Sequence, residues 1–274
     1  MQNSKRVTGL WLMALCMSPA AMAFENDAYE WIISGRSQAK QERPQQKHRL
    51  GSTEPRVFDR IRETGNDSAP DFAAGQDAAL ITAAAQNDLL GVMTLLKNGA
   101  NPNVQDKLGN RPLLHAARLG ATEMARQLLE EGADPNVKGM GYTPLGLAAL
   151  NGHPRIADWL LQFGADVDKR SDNGLTPLMN AALLNNIGVI KEILRYDTEI
   201  DRENNAGRTA LSYAAEGGAE QAIELLLGRG ADVNAVDHKF NAPLFWAASR
   251  DQRSAIRLLL RHGAETGAVS LDLL

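Results

Sequence analysis

Gly141-Tyr-Thr-Pro-Leu-Gly-Leu-Ala-Ala149 is the stretch on which the reading of this chain turns. Thr143 is a good helix N-cap, because its hydroxyl can accept from backbone N–H groups that have no intrahelical partner. Pro144 suits the first helical position, where its missing N–H costs nothing. Leu145 follows as the first core residue, and Ala148-Ala149 are small enough to let another helix come close. Asn151-Gly-His153 then breaks the helix. A second run, Ile156, Leu160 and Leu161, keeps helical spacing and ends in Phe163-Gly-Ala165, where a glycine can take the left-handed C′ conformation.

This pattern recurs along the chain. The alanine pair returns as Ala83-Ala84, Ala116-Ala117, Ala148-Ala149, Ala181-Ala182, Ala214-Ala215 and Ala247-Ala248, at spacings of 33, 32, 33, 33 and 33. A Gly-Ala pair runs in phase at Gly99, Gly132, Gly164, Gly230 and Gly263. Two anchors sharing one period identify a structural repeat. Thr176-Pro-Leu178 repeats the helix opening, while Arg111-Pro-Leu113 and Ala242-Pro-Leu244 are weaker copies.

With its Gly141–Ala149 opening, its Asn151-Gly-His153 turn and Leu160-Leu-Gln-Phe-Gly-Ala-Asp-Val167, the chain resembles the ankyrin repeat family. The resemblance implies an all-α solenoid of about six helix-turn-helix units whose β-turns project as fingers, with a core shared between neighbouring units. The units are expected at 76–104, 105–137, 138–169, 170–202, 203–235 and 236–268. The first, lacking the Thr-Pro-Leu opening, should act as an N-terminal cap. Asp197 stands where a glycine is usual and is expected to tolerate the left-handed region. Phe240 replaces the turn glycine, and the one-residue deletion before Gly141 should tighten that turn. The tail Val269-Ser-Leu-Asp-Leu-Leu274 is apolar enough to cover the last unit.

Outside the repeats, Lys5 and Arg6 precede a short apolar run from Val7 to Met17, and Ala21-Met22-Ala23 offers a small-x-small site. This reads as a secretion signal over residues 1–23, cut between Ala23 and Phe24. The run is shorter than the roughly 20 residues of a membrane helix, so no stable membrane anchor is expected after cleavage. Lipid attachment at Cys16 is a weaker alternative, because Leu15 precedes it where a small residue is needed; a buried N-terminal helix is another. Residues 24–75 are mostly polar and read as a linker with short helical segments at Asp27–Ser34 and Arg56–Arg62. The expected location is the periplasm, with secretion as the variant.

Removing Lys5 and Arg6 from the 29 basic residues leaves 27 against 33 acidic ones, a net of −6. That balance disfavours nucleic acid, which calls for a basic face. Cys16 is the chain's one cysteine, so cleavage leaves no thiol chemistry. His48, His115, His153, His238 and His262 show no His-x-x-His or His-Glu-x-x-His spacing, and neither a nucleophile elbow nor a phosphate loop occurs. No catalytic residue, metal or cofactor is expected. His153 and His262 sit where the family places hydrogen-bonding residues at helix ends.

Function is sought where the units differ. Two residues after each first-helix leucine come His115, Leu147, Asn180, Tyr213 and Trp246, read as a row facing the concave groove. After the alanine pairs come Arg118, Leu150 with Asn151, Leu183 with Leu184, and Arg250. At the turn tips come Met140 with Tyr142, Arg208 and Phe240. In the family these are contact positions, and aromatic residues dominate binding hot spots. The expected function is a non-enzymatic protein-protein interaction module, monomeric when unbound, with an unnamed protein partner. An immunity or accessory factor for a periplasmic enzyme or toxin, and a secreted effector acting on a host protein, are the alternatives.

Overall fold

The computed structural model describes residues 72–139 and 141–266. The signal segment, linker residues 24–71 with both expected short helices, Met140 and residues 267–274 lie outside the described residues. Within them the chain is all-helical: α1 Phe72–Ala85, α2 Leu89–Lys97, α3 Pro112–Leu119, α4 Thr122–Glu130, α5 Pro144–Asn151, α6 Pro154–Gln162, α7 Pro177–Leu183, α8 Ile187–Ile193, α9 Ala210–Gly217, α10 Glu220–Gly228, α11 Pro243–Ser249 and α12 Arg253–Arg261. They pair as six helix-turn-helix units. First helices pack on first helices and second helices on second helices from unit to unit.

The caps follow the sequence. Thr143 Oγ1 accepts from the Gly146 N–H at 3.0 Å, and Thr176 Oγ1 from the Met179 N–H at 3.2 Å. Arg111 and Ala242 make no side-chain cap, and there Pro112 and Pro243 set the entry geometry. Each described alanine pair is buried, and Val92, Met124, Leu128, Ile156, Leu160, Ile190, Ile223, Leu226, Ile256 and Leu259 fill the space between the two helix layers. At about 25 cal/mol per Å² of apolar area removed from water, this continuous core is what an isolated unit lacks.

Neighbouring units are also stitched at the loops. Asn103 Nδ2 donates to the Gly132 carbonyl at 2.8 Å, and its Oδ1 accepts from the Asp134 N–H at 2.7 Å. Asn136 repeats both bonds with Gly164 and Asp166, and Asn234 repeats them with Gly263 and Glu265. Asp168 cannot donate. It accepts instead from the Thr198 hydroxyl at 2.7 Å and the Glu199 N–H at 3.0 Å.

One local expectation is corrected. Asp197 does not adopt a left-handed backbone. Helix α8 stops at Ile193, shorter than the second helices on either side, and the chain turns through Arg195 and Tyr196 instead. With its end reached early, no glycine-like residue is required. The shortened turn is tight: Gly139 and Tyr142 exchange both backbone hydrogen bonds, at 3.1 and 3.0 Å, across two intervening residues. Helix α1 starts at Phe72, ahead of residue 76.

Candidate functional site: the turn tips and the first-helix row

Four turn tips share one backbone frame. In it the N–H of Asp106, Ser171, Asn204 or Asp237 donates to the carbonyl four residues on, and its carbonyl accepts from the N–H three residues on, while the side-chain bonds that brace it match at three of them. Asp106 Oδ1 accepts from the Leu108 and Asn110 N–H groups at 2.8 and 2.9 Å. Asn204 does the same for Ala206 and Arg208, and Asp237 for Lys239 and Asn241. Ser171 with Asn173 builds the fourth. This local side-chain bonding holds the turn without sheet or helix support. The frame is constant while the exposed residues on it differ: Lys107 and Leu108, Asp172, Asn205 and Ala206, then His238 and Lys239.

The tips also lean on one another. The Asp172 N–H donates to the Gly141 carbonyl at 2.9 Å, and the His238 N–H to the Ala206 carbonyl at 3.0 Å. A Cβ added at Gly207 would lie 2.7 Å from the His238 backbone nitrogen, so the approach of the next tip demands glycine there. Gly109, Gly174 and Gly207 take φ of 76°, 79° and 79°. Phe240 occupies the same place with φ 62°. A bulky residue in this region is strained. The residue is 79% exposed, so little packing offsets that strain.

The row expected in the groove is placed elsewhere. His115, Leu147, Asn180 and Tyr213 are buried, each 8% exposed or less, and Trp246 is half-buried. The position turns away from its own unit's core, but into the seam with the adjacent unit. The polar members are held there in part. The Tyr213 hydroxyl accepts from Asn204 Nδ2 at 2.8 Å, and Arg118 Nη2 lies 3.5 Å from His115 Nδ1. Asn180 Nδ2 and Trp246 Nε1 are buried without a hydrogen-bond partner among the described residues.

Arg208 is also buried, not displayed at a tip. Its guanidinium carbon sits 4.0 Å from the Tyr213 ring centroid and 3.8 Å from that of Trp246. It bonds Glu216 Oε2, and Glu216 Oε1 accepts from Arg250 Nη2 at 2.7 Å. Burial pushes the Glu216 carboxyl up, but the charges and hydrogen bonds of Arg208 and Arg250 outweigh it and hold it below the usual range. Burial lowers His115, and Arg118 lowers it further; burial lowers His153 against an opposing hydrogen bond to the Arg118 carbonyl. His153 packs over Gly120 and so serves the helix end.

Of the remaining predicted contacts, Leu150 is buried, while Leu183, Leu184 and Arg118 are half-buried. Tyr142 is half-buried, and burial raises its phenol. Asn151 is exposed but donates to the Leu147 carbonyl at 2.8 Å. Arg250 is exposed and tied to Glu216. Of the predicted contacts described, Phe240, Asn151 and Arg250 are exposed; Leu108 at a tip and Leu119 at a first-helix end are open to solvent as well, as are Leu90 and Met93 on second helix α2. Sequence reasoning missed the stacking of Arg208. The signal was a cation five residues before one aromatic member of the row, with a second aromatic one period on.

Comparison with known proteins places this geometry. The family model described as Ankyrin repeats (3 copies) matches residues 80–171, 157–237 and 178–270. Alpha-latrocrustotoxin-Lt1a of Latrodectus tredecimguttatus is 33% identical over 115 residues, 40% of this chain and 8% of that protein. E3 ubiquitin-protein ligase hecd-1 of Caenorhabditis elegans is 35% identical over 110 residues, 38% of this chain and 4% of that protein. The chain thus spans a small fraction of these relatives. Among solved structures, the human ASB11 ankyrin repeat domain superposes with a TM-score of 0.64 at 28% identity, covering 71% of this chain and 88% of that one. The ankyrin repeat protein EF0377 gives 0.63 at 27% identity, covering 68% and 98%.

Proposed function

The chain belongs to the ankyrin repeat family, and from that premise we propose a non-enzymatic module that binds a partner protein through its turn tips and first-helix ends, with Phe240 as an anchor. Ankyrin repeats are protein-protein interaction modules. The observation that carries the reading is Phe240 itself: an aromatic ring 79% exposed on a backbone at φ 62°. A strained residue this exposed points to a contact outside the chain. Leu108, 80% exposed on the first framed tip, adds a second apolar contact. The buried row serves the surface indirectly by fixing the spacing of the tips.

The leader pattern ending at Ala21-Met22-Ala23 supports action in the periplasm, with the chain cut between Ala23 and Phe24. The test is affinity capture from a periplasmic extract of the source organism with three forms: wild type, Phe240→Gly, and Glu224→Lys on the exposed second-helix face. The expected result is one partner held by wild type and Glu224→Lys and lost with Phe240→Gly. Equal capture by all three removes Phe240 from the interface. Absence of any captured protein overturns the binding reading. N-terminal sequencing of periplasmic protein should begin at Phe24.

A further inference from the structure

The acidic balance of the chain is unevenly placed. In units two to six, the segments that form the turn tips and first helices (104–120, 137–152, 169–185, 202–218 and 235–250) carry ten lysines and arginines against five acids. The segments between them, which form the second helices and their loops (121–136, 153–168, 186–201, 219–234 and 251–266), carry eight against sixteen. A surface of one sign raises the local concentration of oppositely charged partners.

At two tips the cation stands beside an apolar side chain. Lys107 precedes Leu108 on the first framed tip, and Lys239 precedes Phe240 on the fourth. All four are exposed, Leu108 at 80% and Phe240 at 79%. No ion pair to either lysine occurs among the described residues. The tips between them differ. There Asp172 is held by Lys138 at 3.3 Å, and Glu203 lies 3.8 Å from His238. Two unpaired lysines, each next to an apolar side chain, thus bracket tips whose exposed acids already have a basic neighbour.

We propose that the partner of this face is a protein presenting an extended acidic segment, with a carboxylate and an apolar side chain at each end, set against Lys107–Leu108 and Lys239–Phe240. The inference rests on the binding surface proposed above and adds the chemistry of what that surface takes. Helices in contact lie about 8–10 Å apart, so four steps from the second unit to the sixth span about 32–40 Å. An extended chain covers that distance in about 9–12 residues at 3.3–3.6 Å each. A protein segment can confine its acids to its ends. A nucleic acid carries a phosphate at every residue and would set some of them against Asp172 and Glu203, both exposed between the lysines. A second copy offers acids on its second-helix side, but that contact leaves the same two surfaces open at each end and does not close.

The test is fluorescence anisotropy with the full chain and three labelled probes. One is a peptide of about 12 residues with glutamate and phenylalanine at both ends of a Gly-Ser spacer; the others are its lysine-for-glutamate counterpart and an oligothymidylate of like length. The proteins compared are wild type, Lys107→Glu with Lys239→Glu, and Glu131→Lys with Glu224→Lys in the second-helix segments. The acidic peptide should bind wild type and the second-helix variant alike, and the lysine variant about tenfold more weakly, because like charges then face one another. The lysine variant should take the basic peptide instead. Salt should weaken the acidic peptide, since the contacts are exposed. The proposal is overturned by wild type that fails to bind the acidic peptide or binds both peptides equally, and by a lysine variant that binds like wild type. Tighter binding of oligothymidylate assigns the face to nucleic acid, and mass that grows with concentration for wild type but not for the lysine variant assigns it to a second copy; either result overturns the proposal. In the capture experiment above, a partner lost with Phe240→Gly but kept by the lysine variant leaves the binding reading standing and removes the acidic segment alone.

Discussion

The Arg208 guanidinium lies face-on to Trp246, 3.8 Å from the ring centroid, across the seam between the fifth and sixth units. Tyr213 closes the other side at 4.0 Å and Glu216 pairs with the cation. A buried cation is costly unless paired, and its removal leaves Glu216 with Arg250 as partner. Arg208→Ala should therefore destabilise by about 3 kcal/mol, combining lost stacking with lost pairing. Arg208→Lys should recover less than half, because an ammonium cannot stack between two rings as a planar guanidinium does. Urea unfolding checks both; a loss under about 1 kcal/mol for Arg208→Ala would show that the seam holds without the stack.

At the neighbouring tip the sign is reversed. Phe240 pays for a left-handed backbone that glycine adopts freely, a difference of about 1–2 kcal/mol, partly offset by the extra freedom glycine has when unfolded. Phe240→Gly is expected to stabilise by about 0.5–1 kcal/mol, seen as a higher urea midpoint with unchanged slope. A lower midpoint would mean that the ring packs on the chain after all. Stabilisation coupled to loss of partner is the signature of a residue kept for contact.

The two lowered histidines set a pH dependence. His115 and His153 are pushed below their ordinary value of 6.5 by burial. Below pH 6.5 the unfolded chain binds protons that the folded chain refuses, so stability falls as pH drops from 6.5 toward the folded values and is flat above. Tm measured from pH 8 to 5 should show this decline, and His153→Gln should shallow it. A profile indifferent to both histidines would contradict the burial argument. Glu216, held low, loses its contribution in a separate and more acidic window, as pH falls through its folded pKa.

The loop ladder makes a fourth prediction. Asn136 donates to the Gly164 carbonyl and accepts from Asp166, both between units. Asn136→Ala should cost about 1–2 kcal/mol at this exposed site. Asn136→Asp should cost nearly as much, since a carboxylate cannot donate and no hydroxyl equivalent to Thr198 stands opposite. Chemical unfolding of the two variants separates the outcomes; a neutral Asn136→Asp would show that the accepting bond alone suffices.

The sequence by itself determined the repeat, the helix pairs and the turns. These are local choices repeated along the chain: Thr-Pro openings at Thr143 and Thr176, an alanine pair in each of the six units, and a Gly-Ala pair in phase with them. Local chemistry at a fixed period survives without knowledge of neighbours. Even the tight turn at Gly141 and the weak caps at Arg111 and Ala242 could be read from the residues present.

The tertiary structure alone decided which variable residues face water. A position two residues past a core leucine turns about 200° from it on a helix, which in a lone helix means exposed. In an array it means facing the next unit, so His115, Leu147, Asn180 and Tyr213 are buried and Arg208 is drawn in to stack on the aromatics. Asp197 escaped its left-handed expectation for a similar reason, because an early end to α8 changed what the turn required. Packing between units is non-local, and no spacing along the chain encodes which side of a helix a neighbour will cover.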